Sequence, residues 1–111
     1  MSSFDVQIEK IDQAIVIRAV GSAGLAESDV LERKLDQVIV QQPALTVLDL
    51  SGLTLITSLG LGALTRFQRA IKRHGKLKLV ITPGNVRDVL VRSRIIELFD
   101  QAGSVEEALK A

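Results

Sequence analysis

Four hydroxyls and three glycines stand close together in the run Asp49-Leu50-Ser51-Gly52-Leu53-Thr54-Leu55-Ile56-Thr57-Ser58-Leu59-Gly60-Leu61-Gly62-Ala63-Leu64. An apolar strand ends there in a polar turn that opens directly into a helical pattern. A helix start presents unpaired backbone N–H groups and the positive end of the helix dipole. Thr57 and Ser58 fall on that start, which suits an anion or a phosphate.

Other chemistries are poorly supplied. A Ser-His-Asp triad would need His74, the one histidine, but at about 1.5 Å per residue it lies about 24 Å from Ser58 along one predicted helix. His74 reads instead as part of a basic helix end, where the dipole favours cations. With no cysteine and a single histidine, a transition-metal site lacks ligands. Gly60-Leu61-Gly62 invites a dinucleotide site, yet that pattern needs a third glycine at position 65, which is Thr, and no Gly-Lys-Ser/Thr follows to make a P-loop. The glycines read better as places where the helix start passes close to a neighbouring element. No catalytic residue, metal or cofactor is expected, and the chain is not expected to be an enzyme.

Ser58 carries two readings. As an N-cap it would satisfy an orphan N–H for about 1 kcal/mol. As a phosphoacceptor it would gain a charge of about −1.5 to −2 at a helix end that tolerates it. That would leave the fold standing and alter the surface around Leu59 and Leu61, as a binding switch requires.

The elements that must position these residues follow from periodicity. Phe4, Val6 and Ile8 alternate with polar residues as in an edge strand, and Ala14 to Val20 supplies its antiparallel partner. Gly21-Ser22-Ala23-Gly24 breaks the pattern, and from about Ala26 the stripe Leu31, Leu35, Val38, Ile39 predicts a helix closed by Pro43. Thr46 to Leu50 reads as a buried strand. Beyond Ser58, Leu61, Leu64, Phe67 or Gln68, and Ile71 recur at helical spacing, with Gly75 placed as a C-cap. Leu77 to Ile81 is a further strand, Asn85 can cap a helix carrying Val86, Val89 and Leu90, and Ser104-Val105-Glu106-Glu107 forms a capping box for a terminal helix. The order β-β-α-β-α-β-α-α predicts an α/β fold with a mixed sheet of about four strands and helices packed on it.

At 111 residues and 47% apolar content, one domain spanning 1–111 can bury a core, built from aliphatic side chains because aromatics are only 3%. The absence of cysteine removes any reason to propose an oxidising compartment. Neither a signal peptide nor a membrane span is evident, so a soluble cytoplasmic protein is expected. A formal charge of +1 argues against nucleic acid as a partner. The charges are uneven, however: residues 1–56 hold four Lys/Arg against eight Asp/Glu, and residues 57–111 hold ten against five. Solvated faces account for this, and a charge-complementary partner would too. The set Arg66, Arg69, Lys72, Arg73 and Lys76 has the same two readings, a solvated face or an anionic ligand.

The run from Val47 to Leu64, with Asp49, Ser51, Gly52, Ile56, Thr57, Ser58, Leu59, Gly60, Leu61 and Gly62 as quoted, resembles the STAS domain of bacterial anti-sigma-factor antagonists. The resemblance extends over nearly the whole chain, including Val89 to Ser93, Leu98-Phe99 and Ser104 to Leu109. That family's motif usually reads Asp-Ser-Ser/Thr-Gly-Leu-Gly. Its first Ser is phosphorylated by a partner that is both anti-sigma factor and histidine-kinase-like Ser/Thr kinase. The resemblance implies Ser58 as phosphoacceptor, with Thr57 a lesser candidate, and partner contacts through Leu25, Thr57, Ser58, Leu59, Gly60 and Leu61. It also allows a phosphatase partner. Two positions depart from the pattern: Thr57 replaces the acidic residue and Leu59 the second hydroxyl. These departures keep open a constitutive subunit of a larger assembly, such as a stressosome-like scaffold or a transporter-associated complex.

Overall fold

The computed structural model describes residues 3–110; residues 1, 2 and 111 of the expected span lie outside the described residues. The elements are β1 (Asp5–Ile11), β2 (Ala14–Ala23), α1 (Leu25–Gln41), β3 (Leu45–Ile56), α2 (Ser58–Lys72), β4 (Lys76–Val80), α3 (Asn85–Arg92), a 3-10 turn (Ile95–Leu98), β5 (Asp100–Ala102) and α4 (Val105–Leu109). The sheet order is β1-β2-β3-β4-β5, antiparallel between β1 and β2 and parallel thereafter.

Because strand order follows chain order, each right-handed crossover places its helix on the same face of the sheet. The main core forms there. Leu31, Leu35 and Val38 of α1 and Ala63, Leu64, Phe67 and Ile71 of α2 meet Ile15, Ile17, Leu48, Leu50, Leu77 and Leu79 from the strands. The opposite face carries only a small apolar cluster, in which Val16, Val47 and Val80 are covered by Ala108 of α4.

Three sequence expectations need correction. The sheet has five strands, not about four. β5 is three residues long and mostly exposed, so no apolar run announces it, and only pairing with β4 through Lys78↔Asp100, Leu79↔Gln101 and Val80↔Ala102 makes it a strand. Gly21 to Ala23 does not break β2, and β3 does not end at Leu50. The two strands continue side by side to the pair Ala23↔Ile56. Two register shifts absorb the glycines, with Gly21 at φ 99°, a conformation an L side chain rarely adopts.

The third concerns helix ends. α3 is preceded by Gly84, and Asn85 is its first residue, donating from Nδ2 to the Thr54 carbonyl at 3.3 Å. Gly75 is required by crowding and not by a left-handed cap: a methyl group there would come within 2.3 Å of the Pro43 carbonyl oxygen. In α4, Ser104 Oγ accepts from the Glu107 N–H at 3.0 Å as expected, but the Glu107 carboxylate reaches the Gly103 N–H.

Candidate functional site

The extension of β3 decides what happens at the start of α2. Since β3 runs to Ile56 and α2 begins at Ser58, a single residue, Thr57, joins them. Its backbone is extended (φ −96°, ψ 173°), as an N-cap requires, and its Oγ1 accepts from the Gly60 N–H at 3.5 Å. The same hydroxyl lies 3.0 Å from Ser28 Oγ, which donates to the Gly24 carbonyl at 2.7 Å. Each hydroxyl has one proton, so Thr57 donates to Ser28 and Ser28 donates to Gly24. This relay lets Ser28 sit buried on the inner face of α1 and ties the starts of the two helices together.

The cap is therefore Thr57, not Ser58. Ser58 is the first residue of α2, it is exposed, and its hydroxyl has no hydrogen-bond partner among the described residues. The first turn of α2 contains no acidic residue, so negative charge added there would meet the helix dipole without a carboxylate in the same turn.

The neighbouring site residues divide by exposure. Leu25 and Leu59 are 69% and 57% exposed, large values for leucine. Leu61 is partly buried and packs against the main core. Gly60 is buried, and a methyl group on it would approach Ile56 Cγ1 to 2.7 Å and Ser28 Oγ to 3.6 Å. Gly60 thus serves the close approach of α2 to β3 and α1, as expected of both glycines, whereas Gly62 meets no neighbouring element and only Arg66 Nη1 of its own helix, at 3.3 Å.

Between the starts of α1 and α2 lies an open groove of about 240 Å³, with Leu25, Asp29 and Glu32 on one wall and Ser58, Leu59 and Arg66 on the other. An ion pair between Arg66 and Glu32 spans it, and Asp29 is paired with Arg33 at 3.6 Å. Arg66 and Lys72, the latter 3.9 Å from Asp100, thereby remove two members from the basic set. His74 lies just beyond the opposite end of α2 from Ser58, 3.4 Å from Gln42 Nε2.

Sequence reasoning missed Ser28 and the Arg66–Glu32 pair. Ser28 had a signal: it precedes Leu31, Leu35 and Val38 on the apolar stripe, where a polar residue must find a partner. The ion pair had none, because it joins residues 34 apart in the chain. Among the described residues, no helix is long and apolar enough to cross a membrane, and no group of three or more His, Cys, Asp or Glu is placed to hold a metal.

Comparison with known proteins agrees with this architecture. A model of the STAS domain matches residues 5–108. No curated protein matches the sequence. Among solved structures, the fold is similar to that of an anti-sigma factor antagonist from Mycobacterium paratuberculosis, with TM-score 0.88 and 21% identity over 99% of this chain and 97% of that one. It is similar to SpoIIAA, an anti-sigma factor antagonist, in its unphosphorylated form, with TM-score 0.79 and 22% identity over 96% and 94% of the two chains. It is also similar to the phosphorylated form of the Bacillus cell fate determinant SpoIIAA, with TM-score 0.72 and 21% identity over 96% and 97%. By its sequence and its sheet topology, the chain belongs to the STAS domain family.

Proposed function

We propose that this chain is a regulatory interaction module of the anti-sigma-factor-antagonist type, working in the cytoplasm by binding and not by catalysis. Unphosphorylated, it docks an anti-sigma factor that is also a histidine-kinase-like Ser/Thr kinase, with Leu25 and Leu59 as apolar contacts beside Ser58. The kinase transfers the γ-phosphoryl group of ATP to Ser58 Oγ: the new O–P bond replaces the bond to ADP, and the hydroxyl proton leaves to a base on the kinase. The added charge and bulk release the partner, and a phosphatase restores the hydroxyl by hydrolysis.

The observation that carries this reading is the division of labour at the helix start. Thr57 is engaged in the cap and the Ser28 relay, while Ser58 is exposed and its hydroxyl is unengaged. Phosphate on Ser58 would cost no native hydrogen bond. The departure at position 57 also makes sense, since Thr and Asp are both favoured N-caps. Threonine keeps the cap and removes a negative charge beside the acceptor.

The test measures partner affinity for three proteins. Wild type and Ser58→Ala should bind within about threefold of each other, and Ser58→Asp should lose tenfold or more, about 1.4 kcal/mol. Equal binding by all three would eliminate the switch.

The exposure of Leu59, where the family usually has a hydroxyl, favours a second reading: a STAS subunit held permanently in a larger assembly without a phosphoswitch. Size-exclusion chromatography of cell extracts separates the two, because a constitutive subunit elutes only at high mass and does not respond to phosphatase treatment.

A further inference from the structure

The groove contains one cation whose position does not follow from the cap or from the apolar contacts. Ser58, Gly62 and Arg66 are spaced by four residues and share one face of α2. Long helical side chains lean toward the N-terminus, and Arg66 does so: a methyl group on Gly62 would come within 3.3 Å of its Nη1. The guanidinium therefore lies over Gly62, one turn, or about 6 Å along the axis, from Ser58. It now pairs with Glu32 across the groove. Both partners are substantially exposed, with side chains 63% and 43% accessible, so exchanging this pair for another anion breaks only a weak interaction.

We infer that Arg66 reads the phosphate on Ser58, exchanging Glu32 for the phosphate when Ser58 is modified. The proposal rests on Ser58 as the phosphoacceptor and adds the residue that conveys the modification to α1. A phosphate offers more charge than a carboxylate and matches the planar guanidinium fork. Once Arg66 moves, Glu32 is left unpaired on the wall of the groove, one turn from Asp29. Modification thus adds the phosphate's own charge and also exposes a second anion where a partner would dock. Gly62 leaves room for this geometry, since a methyl group there would press on Nη1 and shift it by a few tenths of an ångström.

The charged groups facing Ser58 across the groove are Asp29 and Glu32 from α1 and Arg66 from its own helix, with Arg33 tied to Asp29. The two carboxylates raise the second ionisation of a phosphate at Ser58 and Arg66 lowers it, so the Arg66 contribution can be measured. Phosphoserine is installed at position 58 by site-specific translation, which needs no kinase, and the phosphate is titrated by 31P NMR. Relative to the wild-type phosphoprotein, Arg66→Gln should raise the phosphate pKa by about 0.7 unit or more, the effect of one charge paired at about 4 Å in a water-like medium. Glu32→Gln, which frees the guanidinium and removes a like charge, should lower it. Arg66→Lys should give an intermediate value. A phosphate pKa unmoved by Arg66→Gln, in a protein whose circular dichroism matches wild type, overturns the proposal. That result would leave kinase modification of Ser58 untouched, and failure of a kinase to modify Ser58 would leave the 31P result untouched.

Discussion

The two ends of α2 use similar materials for different purposes. At its C-terminal end, Arg69 and Lys72 lie in the last turn, where the dipole favours cations, and Gly75 fits against Pro43 and Ala44 with its N–H donating to the Ile71 carbonyl at 3.0 Å. Local rules account for each of these residues. At the N-terminal end, Thr57 and Gly60 are equally committed, one to the cap and one to the contact with Ile56. Ser58, Leu25 and Leu59 are not. An idle hydroxyl between two exposed leucines has no structural task, and residues that depart from local consistency are where function is expected.

Substitutions can sharpen or break this contrast, and their expected effects fall in a definite order. Gly75→Ala should be the most destabilising, by about 3 kcal/mol, because the added methyl meets backbone oxygens of Pro43 and Ala44 that cannot rotate away. Gly60→Ala should cost about 1–2 kcal/mol, since the Ile56 side chain it meets can partly yield. Thr57→Ala should cost about 1 kcal/mol through loss of the cap and of the Ser28 relay. Ser58→Ala should change stability by less than about 0.5 kcal/mol, while removing all phosphate acceptance. Urea titration of the four variants under identical conditions measures the series. Equal costs for Thr57→Ala and Ser58→Ala would mean that Ser58 shares the capping role and would undo the contrast.

This ordering also shows how far the sequence could be read. The helical stripes of α1 and α2, the hairpin and the motif around Ser58 are local patterns, and they were legible. The identity of the cap was not, because it depends on where β3 ends. Residues 51–56 carry serine, threonine and glycine and read as a turn; they are a strand because β2 lies beside them as far as Ala23. β5 fails for the same reason, being held by pairing with β4 and not by its own residues. Ser28, on a different helix and 29 residues from Thr57, could be flagged as a polar residue on an apolar stripe, but its partner could not be named without the fold.

The central claim is that adjacent hydroxyls divide the work, Thr57 holding the helix start and Ser58 carrying the switch. Its most direct test is site mapping by mass spectrometry after incubation of the protein with ATP and the kinase proposed as its partner. The account predicts a phosphate on Ser58 and none on Thr57, with Ser58→Ala abolishing incorporation. Phosphate on Thr57, or undiminished incorporation into Ser58→Ala, would contradict it.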